Sequence, residues 1–336
     1  MNKKRIGLDH GSGGEASHEL VTEVFLSRLD NAALRNMDDS AVLTLPHCTV
    51  AMTTDSYVVD PIFFPGGDIG SLAVHGTVND LSMQGATPLY LTLGLILEEG
   101  FDMAELIKII DSLAEAAREA GVEVVAGDTK VVPKGHADKV FINTSGIGLI
   151  PDGVEVSAQN ARPGDRVIIN GNLADHGMAI LSRREGLEFK SPIVSDSAPL
   201  NHLVSSILDV SGHVHVLRDP TRGGVATALN EIARQSQVGI RLSEEDIPIS
   251  KSVSAACEIL GLDPLYVANE GKCLVMVSQG DCEKVLKIMK ENKYGKNARI
   301  IGEVSRENPG KVFMKTRIGG TRILSMLTGE QLPRIC

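Results

Sequence analysis

Apolar positions recur with helical spacing most clearly between Met103 and Ala120. There Met103, Leu106, Ile107, Ile110, Leu113, Ala114 and Ala117 form one stripe, and Glu105, Lys108, Asp111, Glu115 and Arg118 form the opposite side. Gly121 follows as the expected stop. Glu15 to Leu29 has the same period, with Leu20 and Val24 on one side, whereas Ile69 to Gln84 follows it only roughly. AVLTL and VAMTTD read as strands separated by the turn-like PHC, LYLTLGLI as a buried strand, and VEVVA as a strand running directly into GDTK. Helices alternating with strands predict an α/β or α+β domain, with sheet on one side and helices on the other.

Turn formers in PDGVEVSAQNARPG place a boundary between Gly153 and Gly164, and RVIIN then opens a second domain. That domain includes the strand CLVMV and the helix DCEKVLKIMKEN, without a residue-level repeat of the first. After Val312 to Lys315 the glycines and charges of TRIGGTRIL suggest that the core has ended. The expected organisation is 1–155, an N-terminal domain; 156–318, a C-terminal α+β domain; and 319–336, a mobile tail carrying Cys336.

The length of 336 residues suits two domains, and a hydrophobic content of 43% supports real cores, aliphatic ones since tryptophan is absent. A formal net charge of -10 offers no broad basic field for nucleic acid or an anionic membrane. The opening MNKKRIGLDHGSGG has no apolar secretory segment, and no apolar run approaches a membrane span, so the cytoplasm is the expected address. Five cysteines without a C-x-x-C pair argue against a disulfide framework or zinc knuckle. Cys48, Cys257 and Cys273 are expected to fill small apolar volumes, while Cys336 in PRIC is either an exposed accident or a thiol meant to travel.

Acidic residues gather at predicted strand ends and turns: Asp38 and Asp39 in MDDSA, Asp55 in TTDS, Asp68 in GGDIGS, Asp80 in VNDL and Asp128 in AGDTK. Oxygen-rich sets of this kind suit magnesium shared with substrate phosphates, although an Asp beside glycine also serves ordinary turns. DHGSGG, with Gly11, Ser12, Gly13 and Gly14, allows close backbone approach to a phosphate or forms a simple N-terminal arm; it is not a P-loop. In DPTRGG, Arg222 stands before an apolar helix, to meet an anion or to pair with Asp219. Lys130 and Glu270 are further candidates.

DHGSGG, DDSA, GDIGSLAVHGTVNDLSMQGATPLY, AGDTKVV, DPTRGG, ANEG and PRIC together resemble the HypE family of hydrogenase maturation proteins, the carbamoyl dehydratases. That family lies within the aminoimidazole ribonucleotide synthetase and selenophosphate synthetase superfamily, and the resemblance spans essentially the whole chain. It implies a two-domain aminoimidazole ribonucleotide synthetase-like fold whose N-terminal sheets form a dimeric, barrel-like core, with ATP and Mg2+ as cofactors. It also implies a homodimer that works with the HypF carbamoyltransferase and the HypC–HypD complex. In that chemistry a terminal cysteine, here Cys336, receives a carbamoyl group, ATP phosphorylates its oxygen, and the resulting thiocyanate supplies cyanide to the iron of nickel-iron hydrogenase. Carried onto this chain, Asp38, Asp55, Asp80 and Asp128 hold metal, while Gly11, Ser12, Gly13, Gly14, Asp39, Asp68, Asn79, Thr129 and Arg222 face nucleotide. Lys130 polarises an oxygen, and Glu270 or His75 takes the proton. The alternatives are a small-molecule ATP-dependent synthetase of the same superfamily and a non-catalytic maturation scaffold.

Overall fold

The computed structural model describes residues 6, 20–31, 49–187, 192–327, 332 and 334–336. Gly11, Ser12, Gly13, Gly14, Asp38 and Asp39 lie outside these residues, as do the AVLTL strand, Gly329 and Pro333. Part of the first expected helix is seen as Leu20–Leu26 continued by Ser27–Leu29.

The first sheet is built from β1 (Thr49–Tyr57), β2 (Thr87–Glu98), β3 (Glu123–Val132) and β4 (Val140–Ile150) in the order β1-β4-β2-β3. Its pairs are antiparallel except β2 with β3. Two helices cover one face, α1 (Ile69–Met83) between β1 and β2 and α2 (Met103–Ala120) in the β2-to-β3 crossover. The α2 boundaries are those its stripe predicts: Asp102 caps the start by accepting from the Ala104 amide at 2.7 Å, and Gly121 ends it in the left-handed region. In α1 almost every side chain is buried, because the helix is enclosed between the sheet, α2 and the second domain. A helix covered all round needs no polar face, which explains its weak sequence period.

The second domain opens with β5 (Arg166–Ile169), α3 (Asp175–Arg184), α4 (Asn201–Val210), β6 (Val214–Arg218) and α5 (Gly224–Gln235). It continues through β7 (Gly239–Ser243), α6 (Lys251–Leu260), β8 (Leu274–Val277), α7 (Cys282–Glu291), β9 (Arg299–Ser305), β10 (Val312–Lys315) and β11 (Thr321–Leu324). The seven strands are ordered β11-β10-β7-β9-β5-β8-β6. Here the structure departs from the expected domain end. TRIL is the edge strand β11, pairing antiparallel with β10 and burying Leu324, so the domain extends into the segment read as tail. A turn over Thr316 to Gly319, with Gly319 in the left-handed region, joins the two strands, and the glycines had marked an end rather than a turn.

Among the described residues no helix is long and apolar enough to cross a membrane.

Candidate functional site

Helix α1 brings the two domains and the acidic residues together. Its start is a capping box: Asp68 Oδ1 accepts from the Gly70 and Ser71 amides at 2.7 and 3.1 Å, and the Ser71 hydroxyl accepts from the Asp68 amide. Ser112 donates to the same Oδ1 at 2.5 Å. Asp68 therefore holds the helix entry with that oxygen. Further along, the Asn79 amide donates to the carbonyls of Ala198 and Glu270 at 3.0 and 3.1 Å and accepts from the Leu200 amide at 2.8 Å. All three bonds reach the second domain, so Asn79 clips the domains together at the backbone of Glu270.

The next residue, Asp80, turns toward β1, where Thr53 donates to its Oδ2 at 3.0 Å. Asp55 lies on the same side of the strand: it stands opposite Thr144, whose hydroxyl bonds Thr77 and the Ala73 carbonyl of α1. Burial, then the Asp219 charge, push Asp80 up to about 7, and Asp55 adds to the shift. Asp219, which follows β6, is raised by desolvation against the pull of Arg218. Glu270 is only 4% exposed and stands well above the carboxylate range, first through burial and then through Asp219, Asp196, Asp55 and Asp80. The result is a crowd of carboxyls from both domains with too little positive charge, an arrangement suited to receiving a cation or giving up a proton.

Cys336 is docked against this crowd. Residues 334–336 run alongside 58–60, with the Val58 amide donating to the Cys336 carbonyl at 3.0 Å and the Asp60 amide to that of Arg334 at 3.2 Å. Arg334 returns a bond from Nε to the Val58 carbonyl at 2.9 Å and pairs with Asp138 at 2.5 Å. Ile335 is buried, and Leu332 touches the cores of both domains. Burial first, then Glu270 and Asp55, push the Cys336 thiol up to about 12 against the pull of Arg222. The thiol is thus protonated in this arrangement, within electrostatic reach of Glu270, Arg222 and Asp55.

The remaining expected residues fall in two other places. Asp55, Thr144, Leu93 and Gly127 form one cross-strand row facing the helices, so Asp128, the next residue, points through the opposite face at the far edge of the sheet. Asp128 is exposed and bridged to Lys130 at 3.1 Å, three strand spacings, roughly 14 Å, from Asp55; Thr129 lies half-buried between them in sequence. His75 is buried with Nδ1 2.9 Å from Ser197 Oγ, and desolvation lowers it to about 4; the charges acting on it are Glu119 and Lys293. Among the described residues no three His, Cys, Asp or Glu side chains converge to hold a metal ion.

Several site residues escaped the sequence reading. Asp219 had been considered only as a partner of Arg222. Asp196, whose Oδ1 accepts from the Glu270 amide at 3.2 Å, is held by Lys272 at 2.8 Å, and both side chains are almost fully buried. His176 and Arg184, which bind the tail, carry no local signature; the only available signal was Glu270-Gly271-Lys272, an acid and a base standing directly before the apolar run CLVMV.

This fold and this acidic cleft define the class of the protein. Residues 37–150 match the family described as AIR synthase related protein, N-terminal domain, and residues 162–315 match its C-terminal domain, so the chain belongs to the AIR synthase related family. It is 53% identical over 333 residues to the carbamoyl dehydratase HypE of Cupriavidus necator, covering 99% of this chain and 95% of that one. A solved structure of hydrogenase maturation protein HypE in complex with ATP superposes with a TM-score of 0.95 at 53% identity, covering 98% of this chain and 99% of the other. A structure of a HypE–HypF complex matches with a TM-score of 0.81 at 53% identity over 92% of this chain and 99% of that chain. Within the AIR synthase related family, the chain falls in the carbamoyl dehydratase HypE branch.

Proposed function

We propose that this protein is an ATP-dependent carbamoyl dehydratase acting on its own Cys336. The observation that carries the reading is the docked tail, which brings the Cys336 thiol within electrostatic reach of Glu270 and Asp55, two members of the carboxyl crowd. HypF, seen in complex with a relative, loads the sulfur as S–C(=O)–NH2. The carbamoyl oxygen then attacks the γ-phosphorus of ATP, the bond to ADP breaks, and one N–H proton leaves as the O-phosphorylated intermediate forms. Breakage of the C–O bond releases phosphate, the second N–H proton departs, and S–C≡N remains. Cyanide passes from there to iron held by HypC and HypD, in the cytoplasm.

Glu270 is the proton acceptor in this scheme, in preference to His75, whose charge partners are remote from the thiol. Burial and neighbouring acids keep Glu270 protonated at rest, so neutralising those neighbours brings it toward the range in which it takes a proton. The crowded carboxylates fit magnesium, which binds through a few of them together with phosphate oxygens and water, and when bound it neutralises charge and orients the triphosphate. Asp55 and Asp80 are its protein donors in this reading, joined by Asp38. Gly11 to Gly14, Asp39 and Arg222 serve the nucleotide.

The protein works as a homodimer. The open face of the first sheet exposes Val50, Met52 and Ile96, with Met52 77% exposed, and a second copy covers that apolar surface and completes the barrel-like core. Asp128, Thr129 and Lys130 lie on the far edge strand, so they serve the partner's site rather than their own.

Mass spectrometry of the C-terminal peptide, after incubation with HypF, carbamoyl phosphate and Mg-ATP, tests the function. Successive carbamoyl and thiocyanate adducts on Cys336 are expected, with neither on a Cys336→Ala variant that still binds ATP. Cyanide transfer undiminished in that variant would refute the carrier role.

A further inference from the structure

Helix α3 reaches the tail from both of its ends. In its first turn, His176 is completely buried, edge-on to Phe64 of the first domain with ring centroids 5.5 Å apart. Its Nε2 lies 2.8 Å from the Ile335 carbonyl oxygen and its Nδ1 2.8 Å from Ser195 Oγ. A carbonyl only accepts, so Nε2 carries the proton. Burial keeps the ring neutral, and Nδ1 therefore accepts from the Ser195 hydroxyl, whose oxygen in turn accepts from the Ser197 amide at 3.1 Å. The tail carbonyl thus fixes the tautomer, and the Ser195 hydroxyl, which can donate or accept, turns to suit it.

In the last turn, Arg184 Nη2 donates to the Arg334 carbonyl at 2.9 Å and to the Asp60 carbonyl at 2.6 Å, which also accepts from Nε at 2.9 Å. The three consecutive carbonyls of Arg334, Ile335 and Cys336 are thereby all bonded, two of them by side chains of the second domain and two by amides of the first, Arg334 by both. The backbone bonds to Val58 and Asp60 tie the tail to the first domain alone. The bonds from His176 and Arg184 make its position depend on the second domain as well.

We propose that His176 and Arg184 are positioning residues that latch the tail: they hold the Arg334 and Ile335 carbonyls so that the Cys336 thiol stays at the acidic cleft, and their release frees it for loading. The role in turnover rests on the carbamoyl-carrier reading; the latch itself does not. Weakening the latch moves the two half-reactions in opposite directions, since loading needs the tail outside and dehydration needs it inside. General damage to the fold slows both.

The test uses the full chain and a small neutral alkylating reagent, N-ethylmaleimide, with Cys336 modification followed on its own peptide. His176→Leu should be modified about fivefold to tenfold faster than wild type, the effect of one neutral hydrogen bond lost from the docked state, and Arg184→Met at least about tenfold faster, because its bond to the Arg334 carbonyl is charge-assisted. His176→Gln, which keeps a donor, should return toward the wild-type rate. With the carbamoyltransferase and Mg-ATP, His176→Leu should load at least as fast as wild type and dehydrate its adduct more slowly. Wild-type alkylation rates in both His176→Leu and Arg184→Met overturn the latch, as does a glutamine variant as fast as the leucine one. If His176→Leu does not fold, Arg184→Met decides alone. A wild-type protein that never forms thiocyanate, combined with faster alkylation in the variants, sinks the carbamoyl reading and leaves the latch standing.

Discussion

The Val58 amide donates to the Cys336 carbonyl at 3.0 Å, and this bond ties the thiol-bearing residue to the chain just beyond β1, the strand that carries Asp55. The contact therefore joins the end of β1 to the last residue of the sequence, 278 positions further on.

Removing one acid from the crowd should have two opposite effects. Asp80 is pushed up to about 7, first by burial and then by Asp219, so the folded protein keeps a proton that the unfolded chain releases near pH 4. Its contribution to stability falls as pH rises between those values and stays unfavourable above them. Asp80→Asn should accordingly melt higher than wild type at pH 8 and alike near pH 4, while magnesium-dependent ATP binding weakens. Calorimetric titration showing unchanged affinity in the folded variant removes Asp80 from the nucleotide site.

His75 gives the reverse pH dependence. Desolvation lowers it to about 4 from 6.5, so between these values the unfolded chain binds a proton that the folded protein refuses. Stability is fully present above pH 6.5 and is lost as pH falls toward about 4, by about 3 kcal/mol in all. Urea unfolding across this range should show that extra slope in wild type and not in His75→Gln; equal slopes would contradict the buried neutral assignment.

Gly271 separates Glu270 from Lys272, and a Cβ there would stand 1.8 Å from the Asp196 carbonyl oxygen. Backbone cannot yield as a side-chain tip does, so Gly271→Ala should cost about 1–3 kcal/mol by overpacking. A denaturation midpoint equal to wild type would show that the segment before β8 has slack.

Much of this architecture was legible in the sequence, though unevenly. The α2 stripe, its Gly121 stop and the VEVVA strand follow from local periodicity and come out as read. Asp68 illustrates a signal seen and assigned elsewhere: Asp68 followed by Ser71 at the third helical position is a capping pattern, yet it had been grouped with the acids of the site. Asp128 was placed with Asp55 because both end strand-like runs; only the sheet order and the two-residue alternation reveal that they face opposite sides. The tail's docking had no local signature at all, since Arg334 and Val58 meet across 276 positions and the bonds are mostly to backbone, which every residue offers.

Met52 is the most exposed apolar side chain of the first sheet, at 77%, on the face away from α1 and α2. Met52→Asp places a charge where the second copy is expected to pack, so sedimentation velocity over a micromolar series should show a dimer for wild type and a monomer for the variant. A monomeric wild type would contradict the dimer.

The central claim is that the docked tail presents its carbamoylated thiol to Glu270. Glutamine matches the neutral acid that burial already imposes at rest, so Glu270→Gln should fold and bind ATP as wild type does. It lacks the ability to accept a proton. With HypF, carbamoyl phosphate and Mg-ATP, peptide mass spectrometry should find the carbamoyl adduct accumulating on Cys336 with thiocyanate formation reduced at least about a hundredfold, the usual worth of a general base. Thiocyanate formed at the wild-type rate by this variant would contradict the account.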